Sequence, residues 1–282
     1  MISTTPQTGY APVNGLQMYY EIHGAGEPLI LLHGGFGLTG MFGALLPQLA
    51  AGRQVIAADL QGHGRTADID RPLRLDWLAD DIAALIRHLG LPQADVMGYS
   101  MGGAAALRAA IRHPELIRRL VVVSAPFKRS GWYPEQLAGM EQISAAFADA
   151  MRGTPMYEGY VAVAPHPENF PTLCEKMGDM LRQDYDWSAE VAALPMPVMI
   201  VCGDADGLPP RHAAEFFELL GGGKRDGGWD GSGMSRSRLA ILPATTHYDI
   251  FSSPALAAAV LPFLNESTPE RQATTAEASH AE

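Results

Sequence analysis

The sequence predicts an α/β protein, with a mostly parallel sheet covered by helices. Three observations carry that prediction. Short, wholly apolar runs such as Leu29 to Leu32 and Val198 to Cys202 suit strands buried on both faces. Segments with apolar residues on one helical face stand between such runs, as in Leu75, Leu78, Ile82, Leu85, Ile86 and Leu89. The two kinds alternate along most of the chain, which is the pattern of β-α-β units.

Taken in order, residues 1–8 are polar and expected to be loose. Leu16 to Ile22 reads as a strand entered by Asn14-Gly15, a hairpin turn pair, so an antiparallel edge should lead the sheet. Leu29 to Leu32 and Val55 to Ala58 read as buried strands. The helix from Leu75 ends at Gly90 and Pro92. Then come Asp95 to Gly98 (strand), Met101 to Arg112 (helix) and Leu120 to Ser124 (strand). After a long gap follow Val198 to Cys202 (strand), Arg211 to Leu220 (helix), Leu239 to Leu242 (strand) and Pro254 to Leu264 (helix). The gap, Phe127 to Pro195, shows no buried strand but holds nine of the chain's 22 aromatic residues. A loop would be poorer in aromatics, so this is expected to be a helical insertion over something apolar. From Asn265 the tail is rich in Glu, Thr, Ser and Ala without apolar period, and is expected to be disordered.

Composition narrows the partners. The chain has 282 residues, is 47% hydrophobic, and has a formal net charge of −11. An acidic chain is a poor match for nucleic acid, whose phosphates reward Lys/Arg clusters. No apolar run approaches the length of a bilayer span. No Lys or Arg precedes Arg53, so the start lacks the basic region of a signal peptide. Cys174 and Cys202 are too few for a disulfide framework, and a cytoplasmic location is the matching expectation. The histidines do not pair at zinc-ligand spacing, and the Gly-rich stretches form no dinucleotide fingerprint. Gly222-Gly223-Lys224-Arg225 lacks the flanking residues of a phosphate loop, so Gly221 to Arg238 is expected to be a surface loop. A mechanism without metal or cofactor is the simplest expectation.

The chemistry concentrates at Gly98-Tyr99-Ser100-Met101-Gly102. This G-x-S-x-G lies between a strand and a helix, where a nucleophile elbow must be, with glycines relieving the crowded turn. The Ser100 hydroxyl then stands at the carboxyl edge of the sheet. Serine at neutral pH needs a base. His247 follows the last strand after a short loop, at the same edge, whereas His23, His88, His113, His212 and His280 fall on predicted polar faces, turns or the tail. The base needs a carboxylate to fix its tautomer. Asp204 and Asp206 both follow the Val198 to Cys202 strand. Asp206 lies further out and is the expected partner, with Asp204 forming the turn. An oxyanion hole would use the Met101 N–H and one from His33-Gly34-Gly35-Phe36-Gly37. Gly35 is the expected donor and Phe36 the substitute.

With these residues in place, the chain resembles the α/β-hydrolase superfamily, in its branch of small esterases, lactonases and cofactor-free haloperoxidases. The resemblance covers Leu16 to Leu264. It rests on His33-Gly34-Gly35, Asp59 to Arg65, Gly98 to Gly102, Gly203 to Asp206 and His247, in the triad order Ser, Asp, His. Thr66 stands where a Ser commonly follows the Gly-His-Gly-basic run, a small departure. The resemblance implies a divided core, residues 1–126 and 196–264, a helical cap at 127–195, and a tail at 265–282. It implies a serine hydrolase of carboxylic esters or lactones, acting on a small molecule through an acyl-enzyme on Ser100. A dehalogenase or epoxide hydrolase would need Asp in place of Ser100. A cofactor-free perhydrolase, or a slow ligand-binding member of the fold, remains the alternative. The aromatic insertion implies a bulky apolar ligand, and its net charge of −5 a mild preference for a cationic one. The chain is also similar to serine esterases that open macrolide antibiotics, whose large apolar rings carry a basic amino sugar.

Overall fold

The computed structural model describes residues 5–266. The chain begins with β1 (Gln7–Val13) and β2 (Leu16–His23), joined by Asn14 and Gly15, both at positive φ. Such a two-residue turn matches the twist of the strands, and Val13 pairs directly with Leu16. The expectation of a loose start fails from Gln7 onward, because Gln7 and Thr8 pair with Ile22 and Glu21 in the edge strand. Residues 1–4 and the expected tail beyond Glu266 lie outside the described residues.

Next come β3 (Glu27–Leu32), α1 (Leu45–Ala50), β4 (Arg53–Ala58), α2 (Leu75–His88), β5 (Ala94–Tyr99), α3 (Met101–Arg112) and β6 (Ile117–Val123). The chain then forms α4 (Pro134–Glu141), α5 (Phe147–Met151), α6 (Pro155–Val163), α7 (Phe170–Leu181) and α8 (Ser188–Ala192). It finishes with β7 (Val198–Ala205), α9 (Pro210–Leu219), β8 (Arg238–Thr246) and α10 (Pro254–Leu264). The eight strands of the described residues form one sheet in the order β1-β2-β4-β3-β5-β6-β7-β8. β1 and β2 are antiparallel to their neighbours, and all other pairs are parallel.

The apolar runs are explained by the two faces of this sheet. In β3, Ile30 and Leu32 pack with Leu78, Ile82 and Leu107 of α2 and α3. Leu29 and Leu31 pack on the opposite side with Leu45 and Leu49 of α1 and Leu256 and Val260 of α10. A strand covered on both faces has no polar side to alternate with. Cys174 and Cys202 are buried free thiols, and burial pushes the Cys202 thiol up to about 12. Both are therefore poor nucleophiles near neutrality. No helix among the described residues is long and apolar enough to cross a membrane.

The β6 to β7 connection leaves and rejoins the sheet at one place. Lys128 and Asp186 form an antiparallel bridge, and the Trp187 N–H donates to the Phe127 carbonyl at 3.1 Å. Between these points, α4 to α7 wall a cavity with Ser100 and His247 at the carboxyl ends of the central strands.

Candidate active site

Ser100 is the single residue between β5 and α3, at φ 54° and ψ −119°. That conformation is disfavoured for a residue with a Cβ and costs on the order of 1–3 kcal/mol. Its backbone is fixed from both sides. The Ser100 N–H donates to Val123 O at 2.9 Å, and its carbonyl accepts from Ala104 at 2.9 Å. The flanking glycines have a direct steric reason. A Cβ on Gly98 would overlap the Gly102 carbonyl, and one on Gly102 would overlap the carbonyls of Leu32 and His33.

β8 runs on past Leu242 to Thr246, pairing with β7 again at Ala205 beyond a register shift. His247 therefore follows the strand directly, rather than after the expected loop. The Tyr99 hydroxyl donates to the His247 carbonyl at 2.6 Å and holds that turn against the elbow. His247 Nε2 lies 3.0 Å from Ser100 Oγ, and Nδ1 lies 2.9 Å from Asp206 Oδ1. A carboxylate at Nδ1 keeps the proton on that nitrogen, so the Nε2 lone pair faces the serine hydroxyl.

Asp206 is almost fully buried. Burial alone would raise its pKa, but hydrogen bonds from His247, Ser124 and the Gly203 N–H outweigh it and hold the carboxyl below the usual carboxylate range. Ser124 Oγ donates to Oδ2 at 2.5 Å, Gly203 N–H to Oδ2 at 3.1 Å and Gly207 N–H to Oδ1 at 2.6 Å. Asp204 does something different: it accepts from the Thr245 N–H at 3.2 Å, across the β7–β8 irregularity. Of the two carboxylates, Asp206 alone meets the imidazole among the described residues.

The loop after β3 supplies the other side. His33 Nδ1 donates to the Gly34 carbonyl at 2.8 Å while Nε2 accepts from the Leu60 N–H at 3.0 Å. Burial pushes the His33 pKa down to about 4, so the ring is neutral and its two bonds define one tautomer. This pins Gly34, and Phe36 follows at φ 58°. Among the described residues, neither the Gly35 N–H nor the Met101 N–H donates to another protein group. Both are thus available to an oxyanion beside Ser100.

A cavity of about 490 Å³ opens from Ser100 and His247. Six of the chain's 13 methionines line it: Met101, Met140, Met151, Met156, Met177 and Met180. Of the nine aromatic residues of the insertion, three reach it, Trp132, Phe147 and Tyr185. Tyr157 and Tyr160 instead pack on Phe170 at 5.1 and 5.0 Å. The lining is therefore apolar, as expected of the insertion, with methionines beside Phe36, Tyr99 and Tyr248 supplying much of it. The expected mild preference for a cationic ligand finds no support in the lining: no Asp or Glu is among the described lining residues. Two acids of the insertion are paired, Glu141 with the lining residue Arg129 and Asp179 with Arg182.

Other expectations need correction. His212 is buried and stacked on Phe127 at 4.4 Å, not on a polar face. His23 and His113 are half-buried and paired with Glu21 and Asp80, and His280 lies outside the described residues. No residue of Gly221 to Arg238 lines the cavity. Ser124, Tyr99, Trp132 and Arg129 belong to the site region but carried no motif. The position of Tyr99 inside G-x-S-x-G was the one available signal.

A parallel sheet with a strained serine elbow and a histidine–carboxylate pair at its carboxyl edge defines the class of α/β-fold hydrolases. The comparisons agree. Residues 27–191 match the alpha/beta hydrolase fold family, and the chain belongs to that family and is a hydrolase. It is 34% identical over 225 residues to a putative carbamate hydrolase, RutD, of Azorhizobium caulinodans, covering 74% of this chain and 84% of that one. It is 38% identical over 115 residues to the 2-hydroxymuconate semialdehyde hydrolase of a Pseudomonas species, covering 39% of this chain and 41% of that relative's length. The crystal structure of the enol-lactonase from Burkholderia xenovorans LB400 superposes with a TM-score of 0.68 at 22% identity, over 91% of this chain and all of that one, a likeness of fold.

Proposed function

We propose that the protein is a serine hydrolase of carboxylic esters or lactones, acting through an acyl-enzyme on Ser100. The observation that carries this reading is the continuous chain Ser100 Oγ–His247 Nε2, His247 Nδ1–Asp206 Oδ1, at 3.0 and 2.9 Å. His247 takes the hydroxyl proton as Ser100 attacks the carbonyl carbon. The Gly35 and Met101 N–H groups receive the oxyanion. Protonated His247 then gives its proton to the alcohol oxygen as the C–O bond breaks, and water activated by the same histidine releases the acid. Asp206 balances the imidazolium charge and holds its orientation.

Residues 127–195 act as a cap whose helices define the substrate half of the site, on a core of residues 1–126 and 196–264. The cavity lies within the range of sites for drug-sized ligands, about 300–1,000 Å³. Its methionines bend to fit irregular apolar groups, which favours bulky neutral acyl chains over one fixed shape. The macrolide reading loses its electrostatic argument, because a basic amino sugar would meet no carboxylate in the lining. Ring-opening of large neutral lactones stays within the proposal.

The test is mass spectrometry of pooled esters and lactones, macrolides included, after incubation with wild type and Ser100→Ala. A lactone gains one water and stays whole, whereas a linear ester splits. Products formed by wild type alone support the reading. Equal conversion by Ser100→Ala removes it.

A further inference from the structure

We propose that the cavity reads an ester in two halves: an apolar acyl half beside the oxyanion loop, and an alcohol half whose carboxylate is bound by Arg129. The inference rests on the ester-hydrolase reading above.

The lining divides by polarity. On one side Phe36 lies 6.5 Å ring to ring from Phe147, and the Met177 methyl stands 2.6 Å from where a Cβ on Gly35 would be. This side is apolar and touches the proposed oxyanion donor. The other side is built around the base. The Trp132 ring stands edge-on to the His247 imidazole at 5.4 Å, and Gln136 packs on Gly207, next to Asp206. Arg129 lies three residues before Trp132 and lines the same cavity. Among the described lining residues it is the one Asp, Glu, Lys or Arg.

Its guanidinium is held in place. Nε donates to the Leu181 carbonyl at 3.0 Å and Nη2 to Glu141 Oε1 at 2.5 Å, while the Arg129 backbone N–H donates to Tyr185 O at 2.9 Å. Those side-chain bonds leave the Nη1 donors for a ligand. Glu141 is 47% exposed and Arg129 18%. An exposed partner binds weakly, so a ligand carboxylate in the cavity adds to or displaces it. A fixed guanidinium fork suits a planar carboxylate.

The chemistry assigns the halves. The acyl carbon bonds to Ser100 with its oxygen in the oxyanion hole, so the acyl group extends toward Phe36, Phe147 and Met177. The alcohol oxygen takes its proton from His247 Nε2 as the C–O bond breaks, so the alcohol leaves on the histidine side. That side carries Trp132 and Gln136, and Arg129, whose carbonyl accepts from the Trp132 N–H at 3.3 Å, adjoins it.

The test uses phenyl and 4-carboxyphenyl esters of one bulky, neutral apolar acid. Arg129→Met should raise KM for the carboxyphenyl ester about tenfold, the size of one charge-assisted hydrogen bond, and change the phenyl ester less than about twofold. Glu141→Gln keeps the arginine but removes its competing carboxylate, and should lower the carboxyphenyl KM alone, by about threefold. Arg129→Lys should restore part of the discrimination. A purely structural role would weaken both esters equally in both variants. That result, or a carboxyphenyl KM indifferent to Arg129→Met, overturns the proposal. Failure of the underlying reading looks different: wild type then cleaves neither ester. In that event calorimetry with 4-hydroxybenzoate still decides, because binding lost in Arg129→Met supports the site and equal binding overturns it.

Discussion

Asp206→Asn is the sharpest perturbation of the proposed machinery, and its effect can be worked from four hydrogen bonds. Oδ1 accepts from His247 Nδ1 at 2.9 Å and Gly207 N–H at 2.6 Å, and Oδ2 from Ser124 Oγ at 2.5 Å and Gly203 N–H at 3.1 Å. An amide keeps one acceptor oxygen. If that oxygen takes the Oδ1 place, His247 keeps its tautomer but loses the charge opposite its imidazolium. The buried Gly203 N–H then faces an NH₂, which costs about 1–3 kcal/mol. If the oxygen takes the Oδ2 place, the NH₂ faces the Gly207 N–H and His247 Nδ1. The imidazole proton must then move to Nε2, and the base facing Ser100 is gone. The first placement removes the charge that balances the imidazolium and the second removes the base itself, so kcat/KM should fall by about 10³–10⁴, equivalent to about 4–5.5 kcal/mol. The assay is ester hydrolysis across the pH range, with Asp204→Asn as the internal comparison. Asp204 bonds the Thr245 N–H, so its variant should stay within about threefold. Activity of Asp206→Asn within tenfold of wild type, or an equal loss in Asp204→Asn, would refute the reasoning.

Three further outcomes follow from packing and from burial. Gly98→Ala drives a Cβ into the Gly102 carbonyl and should destabilise the fold by more than about 3 kcal/mol, seen as a large drop in Tm. Gly35→Ala meets only the mobile end of Met177 at 2.6 Å, so it should fold and keep its N–H donor, with Tm within a few degrees of wild type. Burial pushes the His212 pKa down to about 4. The unfolded chain, with His near 6.5, therefore binds more protons between about pH 6.5 and 4. Stability is fully present above that window and falls with pH inside it, by about 2 kcal/mol at pH 5 for this one residue. His212→Phe keeps the stack on Phe127 and should flatten the Tm difference between pH 7 and pH 5. An unchanged difference would show that His212 is not the titrating group.

How much of this was legible in the residues depends on how local each signal is. The strands around Ile30, Val121 and Ile200 are apolar on both faces and needed no tertiary context, and α3 and α10 begin and end where the sequence places them. The edge strand β1 was missed in part because polar Gln7 and Thr8 pair through backbone alone. The extension of β8 was hidden by Pro243, which reads as a breaker but sits at a register shift. Ser100, Asp206 and His247 were readable because each follows an apolar strand, and parallel strands deliver their ends to one edge. Ser124 was not, since nothing local marks a strand-end serine as a donor to Asp206. The make-up of the cavity was not readable for a similar reason. Its methionines come from α3, from α4 to α7 and from no single periodic stretch, and the pairing of Glu141 with Arg129 and Asp179 with Arg182 is set by the tertiary fold.

The central claim is the acyl-enzyme on Ser100, and trapping it is the most direct test. The protein is mixed with an activated ester of a bulky apolar acid, quenched in acid within the first turnovers, digested and sequenced by mass spectrometry. The acyl mass should sit on the peptide bearing Ser100 in wild type, should accumulate more in Asp206→Asn if deacylation is slowed further than acylation, and should be absent from Ser100→Ala. An acyl group on another residue, or full ester turnover by Ser100→Ala, would contradict the account.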